Sequence, residues 1–164
     1  MYFVPTVESA INLLAEGFSR TNLIVTGNTV VDACFRHLEI AKKRGIEEES
    51  LSRLDIENMD NILTLTMHRA ENVDDRKRVT SIIEALKELD QMNIIFPIHP
   101  RTKNTLQEFG LFDELDSLEH VHIIKPIGYL DFLQLTSAST LFLTDSGGLQ
   151  EEAITLDVPA LTCP

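Results

Sequence analysis

The chain has 164 residues, 43% of them apolar and 24% charged, with no tryptophan and a formal net charge of −12. That length suits a domain able to bury about 68–70% of its unfolded surface. The acidity argues against nucleic acid and anionic membranes as partners, because both are recognised through clustered basic charge, yet it leaves room for a phosphate held by backbone dipoles.

No apolar run approaches the ~20 residues of a membrane helix. The start, Met1-Tyr2-Phe3-Val4-Pro5, has no basic segment followed by a long apolar one, so a cytoplasmic chain is expected. Cys34 and Cys163 lack metal-ligand spacing and read as small buried hydrophobes in a reducing compartment.

In chain order, residues 2–5 predict a strand end, and Val7, Ala10, Ile11, Leu14 and Phe18 the apolar face of a helix. Residues 22–26 are a β-rich run stopped by Gly27. Val31, Cys34, Phe35, Leu38 and Ala41 recur at helical spacing up to Arg44-Gly45, and Thr29 with Asp32 resembles a capping box at that helix's start. The acidic stretch 46–60 reads as a loop with a short helical turn.

Alternation then becomes regular. Strands are expected at 61–66, 93–98, 121–125, 140–144 and 158–162. Helices are expected through Val79, Ile82, Ile83, Leu86 and Leu89, and over 102–109, 129–137 and 148–156. Arg76-Lys77-Arg78 would be the solvated first turn of one of them. Continuously apolar strands belong to sheets covered on both faces, so the fold class is α/β: a Rossmann-like parallel sheet of right-handed βαβ units with helices on both faces.

In such sheets ligands sit at the carboxyl ends of the strands. The polar residues there are Gly27-Asn28, Met67-His68-Arg69, His99-Pro100-Arg101, Pro126-Ile127-Gly128 and Asp145-Ser146-Gly147-Gly148. The last group has two readings. Glycines at a helix start let backbone N–H groups approach a phosphate, with the Ser146 hydroxyl as a further donor; alternatively this is a plain tight turn capped by Asp145 or Ser146. Glu152, one turn along, is within reach of a ribose beside such a phosphate, whereas Glu151 points elsewhere; either glutamate also suits a helix N-terminus for its charge alone. His68-Arg69 would meet a phosphate or a leaving oxygen, or lie in an ordinary surface loop, and His99 shares the ambiguity. His37, His120 and His122 show no constellation.

Landmarks in order along the chain carry a more specific resemblance. They are Pro5-Thr6, Thr26-Gly27-Asn28-Thr29-Val30-Val31-Asp32-Ala33, His68-Arg69-Ala70-Glu71-Asn72, Pro97-Ile98-His99-Pro100, Tyr129 with Phe132, and the segment from Leu143 through Asp145-Ser146-Gly147-Gly148 to Ala153. In these the chain resembles the non-hydrolysing UDP-N-acetylglucosamine 2-epimerases, which have a GT-B fold of two Rossmann-like domains.

The resemblance implies that residues 1–27 are the last β-α unit of an N-terminal domain plus a hinge strand. Residues 28–164 would be the C-terminal, UDP-binding domain, truncated at its end, because Cys163-Pro164 stop just before the family's Thr-Glu-Arg-Pro-Glu segment. It also implies that Ser146, Gly147 and Gly148 bind the UDP diphosphate, Glu152 the ribose, and Ile127 and Phe132 the uracil. His68 would be the essential histidine, and Arg69 and His99 would meet a second, activating UDP-N-acetylglucosamine. The implied reaction converts UDP-N-acetylglucosamine to UDP-N-acetylmannosamine by elimination and re-addition of UDP, without metal or other cofactor. The complete enzyme would be a homodimer making precursors of cell-surface polysaccharide, and this chain alone would be inactive. Ala70 stands where the family usually has a second Arg, and Asp157 where it usually has Gly. Two other readings are a GT-B glycosyltransferase's nucleotide-sugar domain and a non-catalytic nucleotide-sugar-binding fragment.

Overall fold

A computed structural model describes residues 1–162, in which strands and helices alternate as expected; Cys163 lies outside the described residues. β1 (Tyr2–Val4) and β2 (Leu23–Val25) pair in parallel around α1 (Val7–Ala15). Thr6 caps α1 by accepting the Ser9 N–H at 3.1 Å. The apolar face of α1 is present but buries no residue, and Val7, Ile11 and Leu14 are all exposed. Two strands offer too little surface to cover a helix.

α2 (Thr29–Arg44) begins differently from the expected capping box. Asn28 is the N-cap, its Oδ1 accepting the Val30 N–H at 3.0 Å, and Thr29 is already helical. Of two adjacent cap-type residues, the one left in extended backbone takes the role. The helix stops at Gly45, whose φ of 77° suits glycine.

The main sheet comprises β3 (Ile62–Thr66), β4 (Asn93–Pro97), β5 (Val121–Ile124), β6 (Leu141–Thr144) and β7 (Ala160–Thr162), in the order β5-β4-β3-β6-β7 with every pairing parallel. The remaining helices are α3 (Glu49–Ser52), α4 (Ala70–Val73), α5 (Arg76–Lys87), α6 (Pro100–Glu108), α7 (Phe112–Asp116), α8 (Tyr129–Ala138) and α9 (Gly147–Thr155). Central β3 is buried at all of its positions.

Successive strand residues point to opposite faces. Leu63, Leu65, Ile94 and Phe96 enter a core closed by α5, α6 and α7. Ile62 and Ile95 enter another with Leu51 of α3 and Leu135 of α8. Cys34 and Leu38 of α2 pack on Leu133 of α8, and Ala153 of α9 on Phe142 and Val158. The architecture is the Rossmann-like parallel sheet with helices on both faces. α4 and α7 are additional to the expected elements, each less than two turns long and too short to show periodicity.

Candidate functional site

Connections from β3 run outward through β4 to β5, whereas β6 and β7 add on the other side of β3. The crevice between the carboxyl ends of β3 and β6 is therefore the topological switch point, where open parallel sheets bind ligands. The strand register sets its composition. Thr66 pairs with Thr144, and their hydroxyls lie 2.7 Å apart in the buried sheet. One step further along each strand, the His68 turn and the Asp145 turn meet side by side.

Asp145 joins them. It is 2% exposed, and its Oδ2 accepts the backbone N–H groups of His68 at 2.9 Å and Arg69 at 2.7 Å, with Asn72 Nδ2 at 3.5 Å. Its Oδ1 lies 3.1 Å from His68 Nδ1, and the imidazole itself is half exposed. Below the turn, buried Thr102 donates from Oγ1 to the Met67 carbonyl at 2.7 Å, which ties α6 to the same junction.

The start of α9 is bare. Ser146 is its N-cap residue but makes no side-chain cap bond, and the first turn carries no acidic side chain. The Ser146 N–H is bound at 3.0 Å to Thr144 Oγ1, while the Asp145 carboxylate is turned toward His68. Capping by Asp145 or Ser146, the plain-turn alternative, is therefore absent. Neither Gly147 nor Gly148 has a positive φ, and a Cβ added to either would meet nothing within 4 Å among the described residues. Backbone strain and internal packing do not require these glycines. Their effect is to leave the first-turn amides of α9, the positive end of its dipole, open to an anion.

The two glutamates take different directions, as neighbours on a helix must. Glu151 Oε2 accepts from Asn28 Nδ2 at 2.9 Å, linking α9 to the start of α2. Glu152 Oε1 accepts from the Tyr129 hydroxyl at 3.3 Å, and its Oε2 is buried without a hydrogen-bond partner among the described residues. Burial pushes the Glu152 carboxyl above its ordinary value, with the Tyr129 hydrogen bond pulling back. Burial, then the charges of Glu152 and Cys34, raise the Tyr129 hydroxyl to about 12. The His37 ring meets Tyr129 edge-on at 5.6 Å, so this histidine lies beside the site after all.

The other expected residues flank this junction. Phe132 is half-buried and packs edge-on against Phe142 at 5.9 Å, and Ile127 is half-buried against the Leu51–Ile124–Leu135 core. Arg69 is exposed and pairs with Glu71 at 3.3 Å. His99 caps α6, its Nδ1 accepting the Arg101 N–H at 3.2 Å, and Arg101 reaches Asp74 at 2.6 Å. Sequence reasoning missed the part Asp145 plays at the junction; its one visible signal was an acid closing a strand beside a histidine turn. A cavity of about 630 Å³ runs as a mostly apolar groove along Ile82, Leu86, Leu89 and Leu143, with Asn72 at its edge. Among the described residues no group of His, Cys, Asp or Glu is arranged to hold a metal, and no helix is long and apolar enough to cross a membrane.

Comparison with known proteins adds to this geometry. A family model described as UDP-N-acetylglucosamine 2-epimerase matches residues 1–163. The chain is 46% identical over 163 residues to the UDP-N-acetylglucosamine 2-epimerase of Methanocaldococcus jannaschii, covering 98% of this chain and 44% of the relative. The crystal structure of that organism's UDP-GlcNAc 2-epimerase in complex with UDP-GlcNAc and UDP superposes with a TM-score of 0.83 at 45% identity, over 98% of this chain and 44% of that one. The Neisseria meningitidis enzyme bound to UDP-GlcNAc gives 0.78 at 36% identity, over 98% and 43%. The chain thus spans less than half the length of the relatives it matches.

Proposed function

Because the chain belongs to the UDP-N-acetylglucosamine 2-epimerase family, we propose that it is the UDP-binding part of such an enzyme, an isomerase that inverts C2 of UDP-N-acetylglucosamine. The observation that carries this reading is the bare start of α9 set against the His68 turn at the switch point. The amides of Gly147 and Gly148, with the Ser146 hydroxyl, would take the diphosphate. Glu152, whose buried Oε2 finds no partner among the described residues, would accept from the ribose. Ile127 and Phe132 would border the uracil, and Arg69 and His99 a second nucleotide sugar.

In the reaction, the bond from C1 to the diphosphate breaks as C2 loses its proton, and UDP re-adds after a proton returns to the other face. Holding the departing diphosphate on fixed amides stabilises the charge it gains. His68, next to it, would exchange a proton in these steps. We assign residues 1–27 to the end of an N-terminal domain and 28–164 to a C-terminal one, in a two-domain GT-B, homodimeric and cytoplasmic enzyme. Separation of the two sheets and the uncovered face of α1 support that division.

The test is titration of the labelled chain with UDP, followed by amide shifts. Changes are expected at 144–152 and at His68, and changes confined to distant residues would overturn the assignment. Incubated alone with UDP-N-acetylglucosamine, the chain is expected to yield no C2 epimer by proton NMR. Inversion needs acid–base groups on both faces of the sugar, worth about 10²–10⁴-fold each. Conversion above a His68→Ala control would show that no second domain is needed.

A further inference from the structure

Asp145 is a buried carboxylate to which UDP binding, as read above, gives no task. Its two oxygens do different things. Oδ2 is occupied by the His68 and Arg69 backbone N–H groups and by Asn72 Nδ2. Oδ1 is buried, receives no aligned hydrogen bond among the described residues, and has His68 Nδ1 as its neighbour at 3.1 Å. A carboxylate oxygen buried without a donor is expensive, and here the ring nitrogen facing it is the donor within reach. Turning the half-exposed imidazole into line with that oxygen would complete the bond. An unprotonated Nδ1 at this distance would instead set a lone pair against a buried carboxylate.

We propose that Asp145 is the positioning residue for His68: Oδ2 fixes the backbone that carries the ring, and Oδ1 holds the proton of the neutral imidazole on Nδ1. The nitrogen left to take up and return a proton is then Nε2, on the ring edge away from Asp145. A carboxylate that orients an imidazole in this way sets which nitrogen does chemistry without touching substrate itself. The tautomer follows from the junction alone, whereas the use of Nε2 at the diphosphate rests on the UDP-binding reading. A carboxylate that merely latched two turns together would need Oδ2 and leave the tautomer unbiased.

The experiment is a long-range proton–nitrogen correlation spectrum of the nitrogen-15-labelled 164-residue chain, with the imidazole neutral. Expected for His68 is a protonated Nδ1 shift and an unprotonated Nε2 shift. Asp145→Asn keeps an oxygen for the two backbone N–H groups but turns an amide donor toward Nδ1. The proton should therefore move to Nε2 and the two nitrogen shifts exchange character. A wild-type ring that is Nε2-protonated, or mixed as in free imidazole, overturns the proposal, and so does an Asp145→Asn ring unchanged from wild type. The wild-type spectrum decides even if the variant fails to fold. UDP added to the same sample separates the two readings, since absence of shifts at 144–152 would remove UDP binding and leave the tautomer result standing.

Discussion

The β1–α1–β2 unit and the five-stranded sheet follow the same sequence pattern of short apolar strands and helices with one apolar face, yet only the sheet buries that face. α5 buries Val79, Ile83 and Leu86 against β3 and β4, whereas α1 buries nothing and leaves Ile11 57% exposed. Periodicity tells a helix which face to hide; neighbouring strands decide whether anything hides it. The sharpest way to break this comparison is to truncate one side chain in each region. Phe96→Ala should cost roughly 3–5 kcal/mol of unfolding free energy in a denaturant titration, because Phe96 is fully buried in the α5 face of the core. Ile11→Ala should stay within about 0.5 kcal/mol. Similar losses at both positions would mean that α1 is covered in solution.

Adjacent carboxylates repeat the contrast in polar form. Glu151 is satisfied within the protein by Asn28, while Glu152 keeps a buried oxygen without a partner among the described residues. A group left unsatisfied by its own fold is the one available to a ligand. Glu152→Ala should weaken UDP binding about tenfold to a hundredfold, equivalent to roughly 1.5–3 kcal/mol, and Glu151→Ala much less, as read by calorimetry. Equal losses would remove the ribose role from Glu152.

The raised Glu152 carboxyl adds a pH dependence. Its stability contribution is present below the ordinary glutamate value and is lost as pH rises through the raised folded value. UDP needs the ionised form to accept ribose hydroxyls, so affinity should fall as pH drops through that raised value. Phosphate titrates near pH ~6 on its own. The part due to Glu152 is the part that disappears in Glu152→Gln, and a pH profile identical in wild type and Glu152→Gln would contradict it.

Much of this was legible in the sequence. The apolar runs of β3 and β4, and the spacing of Val79, Ile83 and Leu86, fixed element types within a few residues at their ends. The phosphate turn was visible because two glycines follow a strand-ending Asp-Ser. Not legible was the exposure of α1, since one chain segment does not announce its neighbours. Nor was the choice of Asn28 over Thr29 as cap, which depends on which of the two stays extended. Hardest to read was the Asp145–His68 junction, 77 residues apart and joined only once β3 and β6 pair in register.

The smallest expected effect concerns the far end of α9, the helix whose start is bare. Asp157 sits there at φ 61°, a left-handed conformation that glycine adopts freely and Asp adopts with some strain. The hydrogen bonds are those of a Schellman cap: the Asp157 N–H donates to the Ile154 carbonyl at 3.1 Å and the Val158 N–H to the Ala153 carbonyl at 2.9 Å. Val158 and Ala153 also pack together, completing the motif's apolar contact. Asp157→Gly relieves the left-handed strain but adds backbone freedom to the unfolded chain, an opposing effect of about 0.4–1 kcal/mol. The balance should be a gain of up to about 1 kcal/mol, seen as a melting temperature higher by roughly 2–4 °C. Asp157→Ala, which keeps the Cβ and gives up the polar side chain that eases this conformation, should lower it. UDP affinity should be unchanged in Asp157→Gly, because the cap lies at the opposite end of α9 from Gly147 and Gly148. A lower melting temperature for Asp157→Gly would show that the Asp side chain does more for this cap than its backbone strain takes away.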